Sequence, residues 1–78
     1  MGKARITVKT FGSVTDILEK EFDAEAPDTD SLLSALCGQH DALNGRKLLL
    51  AVNGKVVQTN TVLTENDVVA VMPPYSGG

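Results

Sequence analysis

The chain opens on a strict alternation. Ala4, Ile6, Val8 and Thr10 fall on one parity; Lys3, Arg5, Thr7 and Lys9 fall on the other. A period of two marks a strand with one buried and one wet face. Residues 19–26 alternate as well, with Phe22, Ala24 and Ala26 set against Glu19, Glu21, Asp23 and Glu25. The polar face of the first segment is basic and that of the second is acidic. As antiparallel neighbours they would gain cross-strand charge pairs, each worth roughly 0.2–1 kcal/mol. The two are therefore read as a hairpin. The segment between them carries Val14, Ile17 and Leu18, and is expected to fold back as a turn or short helix.

The period changes after Pro27, which stops the second strand. Asp28-Thr29-Asp30 offers capping oxygens and negative charge suited to a helix N-terminus. Leu32, Leu33, Ala35, Leu36 and Leu43 form a helical stripe. The spacing predicts a helix from about Asp30 to His40, ending before Asn44-Gly45. Leu48 to Val52 is apolar on both parities and too short for a helix, so it reads as a central strand. Asn53-Gly54 separates it from Lys55–Thr59, the sequence signature of a type I′ hairpin turn. Thr64 to Asp67 is a further turn, and Val68 to Met72 is the last strand. Pro73-Pro74 ends it, since proline donates nothing to a ladder. The order is strand, strand, helix, strand, strand, strand, with one helix to cover one sheet face. That is the expectation for an α+β domain of the β-grasp, ubiquitin-like kind. Its mixed sheet would have about five strands. Residues 1–72 would form the domain and 73–78 a flexible C-terminal tail.

Composition narrows the function. A chain of 78 residues makes one small domain, and its core must be simple. With only Phe11, Phe22 and Tyr75 as aromatics, that core is aliphatic, drawn from nine Val, nine Leu and two Ile. One Cys and one His cannot build a disulfide framework or a zinc site from this chain alone. A net charge of -3 and a pI near 4.8 argue against nucleic acid as the main partner. No apolar run approaches the roughly 18 residues of a membrane span, and the first ten residues lack a signal-type apolar stretch. A cytoplasmic location is the expectation, without a membrane partner.

Candidate chemistry within the domain is thin. No local motif suggests a Ser-His-Asp set. Gly12, Gly38, Gly45 and Gly54 are scattered singly rather than gathered into a phosphate loop. The carboxylates of 19–25 share one exposed strand face beside a basic strand, which reads as a solvated ladder. Cys37 lies late in the helix with no Lys or Arg near in sequence, so a structural thiol is favoured over a nucleophile. His40 suits the helix C-terminus, as a cap rather than a catalyst.

The end of the chain is different. After Asp67 there is no charged side chain, and the last two residues are Gly77 and Gly78. Neither carries a Cβ, so the end can enter a channel too narrow for side chains. Five extended residues after Pro73 would reach roughly 17 Å, far enough to put the terminal carboxylate inside another protein. Pro73-Pro74 would stiffen the exit and aim it off the sheet. Strands 48–52 and 68–72 are apolar on both parities, yet one helix covers one face. The other face is therefore expected to expose an aliphatic docking patch.

The whole chain resembles the MoaD/ThiS family of ubiquitin-like sulfur carriers. The matching motifs are Phe11-Gly12, Ala51-Val52-Asn53-Gly54, the run from Leu63 to Val69, and Met72-Pro73-Pro74-Tyr75-Ser76-Gly77-Gly78. The Pro-Pro-x-Ser-Gly-Gly ending is similar to the molybdopterin synthase small subunits more than to the thiamine carriers. One departure is Val14-Thr15-Asp16-Ile17, where the small subunits often carry Arg-Glu.

The resemblance implies that Gly78 is the reacting residue. A ubiquitin-activating-type adenylyltransferase would use ATP to adenylate its carboxylate. A sulfur donor protein would then complete a covalent thiocarboxylate at Gly78. Pro73, Pro74, Tyr75, Ser76 and Gly77 would enter the active site of a molybdopterin synthase large subunit, within a heterotetramer. There the sulfur would pass to the pterin precursor of the molybdenum cofactor. The chain would bind no cofactor or metal itself and would be no enzyme on its own, but the sulfur-donating subunit. Carriage for thiamine thiazole or tRNA thiolation stays open at this point. So does a ubiquitin-like modifier joined to lysines, or a β-grasp interaction module.

Overall fold

A computed structural model describes residues 3–44 and 47–73. The strands are β1 (Ala4–Thr10), β2 (Glu21–Ala26), β3 (Leu49–Val52), β4 (Lys55–Val57) and β5 (Val68–Met72); the helix is α1 (Thr29–Gln39). Short 3-10 turns span Gly12–Asp16 and Asp41–Leu43. The five strands form one mixed sheet in the order β2-β1-β5-β3-β4. The β1–β5 pair is parallel; β1–β2, β3–β5 and β3–β4 are antiparallel. This is the expected β-grasp.

The alternation of β1 sets the layering. Ala4, Ile6, Val8 and Thr10 are buried, while Arg5 and Lys9 are exposed. Ile6, Val8, Leu50, Val69 and Val71 from the sheet pack with Leu32 and Leu36 of α1. Val14, Leu18, Leu43 and Leu63 close the ends of this core from the connecting segments. The β1–β2 register brings Arg5 opposite Glu25, Thr7 opposite Asp23 and Lys9 opposite Glu21, as the opposite charges require. Arg5 and Glu25 meet at 3.7 Å in solvent, a pair worth a few tenths of a kcal/mol.

The helix starts at Thr29 rather than Asp30, because Asp28 is the cap. Its carboxylate accepts the Ser31 N–H at 2.8 Å. That bond, helped by the Ser31 hydroxyl and Asn60, holds the Asp28 carboxyl below its ordinary value. The stripe accordingly runs through Thr29, Leu32 and Leu36, and Ala35 is exposed.

Strand β4 ends at Val57, short of Thr59, because the chain turns there to stitch the helix start. Asn60 Oδ1 accepts from the Asp30 N–H at 2.9 Å and from the Thr29 hydroxyl at 3.3 Å. Thr61 N–H donates to Thr29 Oγ1, and Thr29 N–H donates to the Thr61 carbonyl, both at 2.9 Å. Residues 19 and 20 precede β2 instead of belonging to it; their carbonyls accept from Thr10 Oγ1 and Thr10 N–H. No helix among the described residues is long and apolar enough to cross a membrane.

Candidate functional site: the root of the C-terminal tail

The parallel β1–β5 pairing decides where the tail leaves. Thr10 lies opposite Val71, and the Phe11 N–H donates to the Val71 carbonyl at 3.0 Å. Phe11-Gly12 therefore lies beside Met72-Pro73. Gly12 takes φ +60°, in the left-handed region. Its carbonyl accepts the Thr15 hydroxyl at 2.8 Å as the following 3-10 turn begins. The Pro73 ring sits directly on this glycine. A methyl placed at Gly12 would stand 3.0 Å from Pro73 Cγ and 3.1 Å from Cδ. Phe11 keeps about half of its surface in solvent at the same spot.

Of the residues singled out for the tail, Pro73 is thus found at the end of β5. Pro74, Tyr75, Ser76, Gly77 and Gly78 lie outside the described residues. Gly12 was legible only as part of a motif. Its contact with Pro73 depends on a pairing across 61 positions of sequence, and no local signal announces it.

The register also sorts the helix-free face. Val69 and Val71 point into the core, so Val68, Ala70 and Met72 point away from it. Their β3 partners Leu49 and Ala51 share that side, as does Val56 across from Ala51. Ala51 is buried yet stands outside the main core cluster, sheltered instead by its neighbours on this second face. The face grades from this aliphatic patch through Arg5, Thr7 and Lys9 to the acidic row of β2. The face is aliphatic, with Val56 exposed and Leu49, Val68, Ala70 and Met72 half-buried.

The other candidates stay apart. Cys37 is free and half-buried, in an apolar hollow with Leu33, Ser34 and Leu48. His40 lines a different hollow with Ile17, Leu18, Phe22 and Leu36, and its backbone N–H donates to the Leu36 carbonyl as the helix ends. The described residues hold no group of three His, Cys, Asp or Glu able to take a metal ion.

Comparison with known proteins agrees with this geometry. Residues 8–78 match the model of the ThiS family. The chain belongs to the ThiS family. It is homologous to the molybdopterin synthase sulfur carrier subunit of Escherichia coli. The two are 35% identical over 80 residues, covering 94% of this chain and 99% of the relative. Among solved structures, small archaeal modifier protein 1 of Methanosarcina acetivorans superposes with a TM-score of 0.82 at 20% identity, each chain fully covered. A complex of subunits 1 and 2 of the molybdopterin-converting factor from Helicobacter pylori matches with a TM-score of 0.69 at 29% identity, over 95% of this chain and 99% of that one.

Proposed function

We propose that this member of the ThiS family carries sulfur on Gly78 as the small subunit of a molybdopterin synthase. The observation that carries the reading is the 35% identity to the Escherichia coli carrier subunit across nearly both whole chains. The Gly-Gly end and the uncharged stretch after Asp67 fit the chemistry. A carboxylate is a poor electrophile, so activation comes first. The Gly78 carboxylate attacks the α-phosphorus of ATP on an activating partner, and pyrophosphate leaves. A sulfur nucleophile then attacks the acyl carbon and AMP leaves, ending in a thiocarboxylate. The domain supplies an aimed root at Gly12 and Pro73, and a docking face at Leu49, Ala51, Val56, Val68, Ala70 and Met72. The Helicobacter pylori two-subunit complex supports a large subunit as a partner.

The test is intact-mass analysis of protein from its own host, or after incubation with the activating enzyme, ATP and a sulfur donor. Replacement of one terminal oxygen by sulfur is the expected result; an unmodified mass under all conditions defeats the reading. The thiocarboxylated chain is then offered to a molybdopterin synthase large subunit. Sulfur transfer, with amide shifts confined to the patch and the tail, is expected. Thiocarboxylate formation without binding or product would move the assignment to carriage for another pathway.

A further inference from the structure

We propose that Gly12 is a positioning residue for the tail, a seat against which Pro73 rests and which sets the direction of the chain at Pro73. The proposal deepens the carrier reading and rests on it. Three observations support it. A Cβ at Gly12 would stand 3.0 and 3.1 Å from the Pro73 ring, so tight that the ring must give by a few tenths of an ångström. The glycine cannot retreat. Phe11 before it is tied to Val71 of β5, and its own carbonyl is tied to Thr15. Val14, two residues on, is fully buried in the core. Nor can Pro73 easily adapt, because its ring fixes φ near −65°. A side chain at position 12 must therefore push the root of the tail. The direction of the chain at Pro73 therefore depends on the contact at Gly12. Misplacing reacting groups by even about 1 Å can cost 10²-fold in rate.

Two variants separate the contact from backbone strain. Gly12→Ala adds a Cβ and also strains the positive φ. Gly12→Asn adds the same Cβ, but Asn tolerates the left-handed region. Pyrophosphate release is measured with the recombinant activating adenylyltransferase of the same host, alongside thermal unfolding. Both variants are expected to lower kcat/KM by about tenfold or more, although Gly12→Asn unfolds closer to the wild type. In a Pro73→Gly background, adding Gly12→Ala is expected to change kcat/KM by less than about twofold, because the two positions act through one contact.

An unchanged kcat/KM for Gly12→Ala overturns the proposal. So does recovery of full turnover by Gly12→Asn, which would assign the effect to strain, and so does additivity with Pro73→Gly. A nuclear Overhauser contact between the Gly12 α-protons and the Pro73 ring is expected in the wild type, whatever the chemistry of the tail. If the wild-type chain itself releases no pyrophosphate, the carrier reading fails and this proposal with it. Full wild-type turnover with an unaffected Gly12→Ala sinks this proposal alone.

Discussion

Asn53 takes φ 52° and Gly54 takes φ 86°, the left-handed pair that a type I′ turn requires. That much is written in the Asn-Gly dipeptide. The side chain of Asn53 does something the dipeptide does not reveal. Its carbonyl accepts the Val68 N–H at 2.9 Å, and its amide donates to Asp67 Oδ1 at 2.9 Å. Asp67 in turn accepts the Thr64 N–H at 2.8 Å. One amide thus ties the β3–β4 hairpin to the turn that launches β5. The Thr64 N–H and then the Asn53 amide hold the Asp67 carboxyl below its ordinary 3.8. A carboxyl depressed in the folded state adds stability above its unfolded pKa and loses it as pH falls through the lower folded value. Asp67→Asn is therefore expected to be less stable than the wild type at neutral pH, the gap closing as pH falls through 3.8 and below. Urea unfolding of both proteins across that range is the check. A gap that stays constant would show that the ionised form contributes nothing.

At the scale of elements, periodicity located every strand and the helix, and missed by a residue or two at the ends. The ends are set by individual hydrogen bonds, which a period does not encode. Asp28 caps the start of α1 at Thr29, and Asn60, thirty residues on, braces that start by accepting the Asp30 N–H. Two glycines show how local conformation, not contact, sets stability within elements. A Cβ at Gly38 in α1 or at Gly54 in the turn would meet nothing within 4 Å beyond its own local backbone and chain neighbours. Gly38→Ala is expected to stabilise by about 0.5 kcal/mol, through helix propensity and a less free unfolded chain. Gly54→Ala is expected to destabilise by about 1 kcal/mol, because alanine resists the left-handed region. Chemical denaturation midpoints should move in opposite directions. No gain from Gly38→Ala would mean that α1 frays before Gly38 in solution.

At the scale of the molecule, the sheet order was only partly legible. Opposite charges announced the β1–β2 hairpin and Asn-Gly announced β3–β4. The parallel β1–β5 pair that joins them carries no local signal, since its strands lie at opposite ends of the chain. Yet that pair is what brings Gly12 to Pro73 and sets the tail root beside the aliphatic face. It also implies a sharp boundary between the part that folds and the part that reacts. The core cluster runs from Ala4 to Val71, and the last ladder rung is Met72 opposite Leu49. A chain ending at Pro73 is therefore expected to unfold within about 0.5 kcal/mol of the full-length protein, while activation by the adenylyltransferase is abolished. A chain ending at Ala70 loses the fully buried Val71, its bond to the Phe11 N–H and the terminal rung. It should lose at least about 2 kcal/mol. Urea titrations of the two truncations against the full chain make the comparison. A loss above about 1 kcal/mol in the chain ending at Pro73 would make residues 74–78 part of the fold, and the separation of scaffold from reactive end would fail.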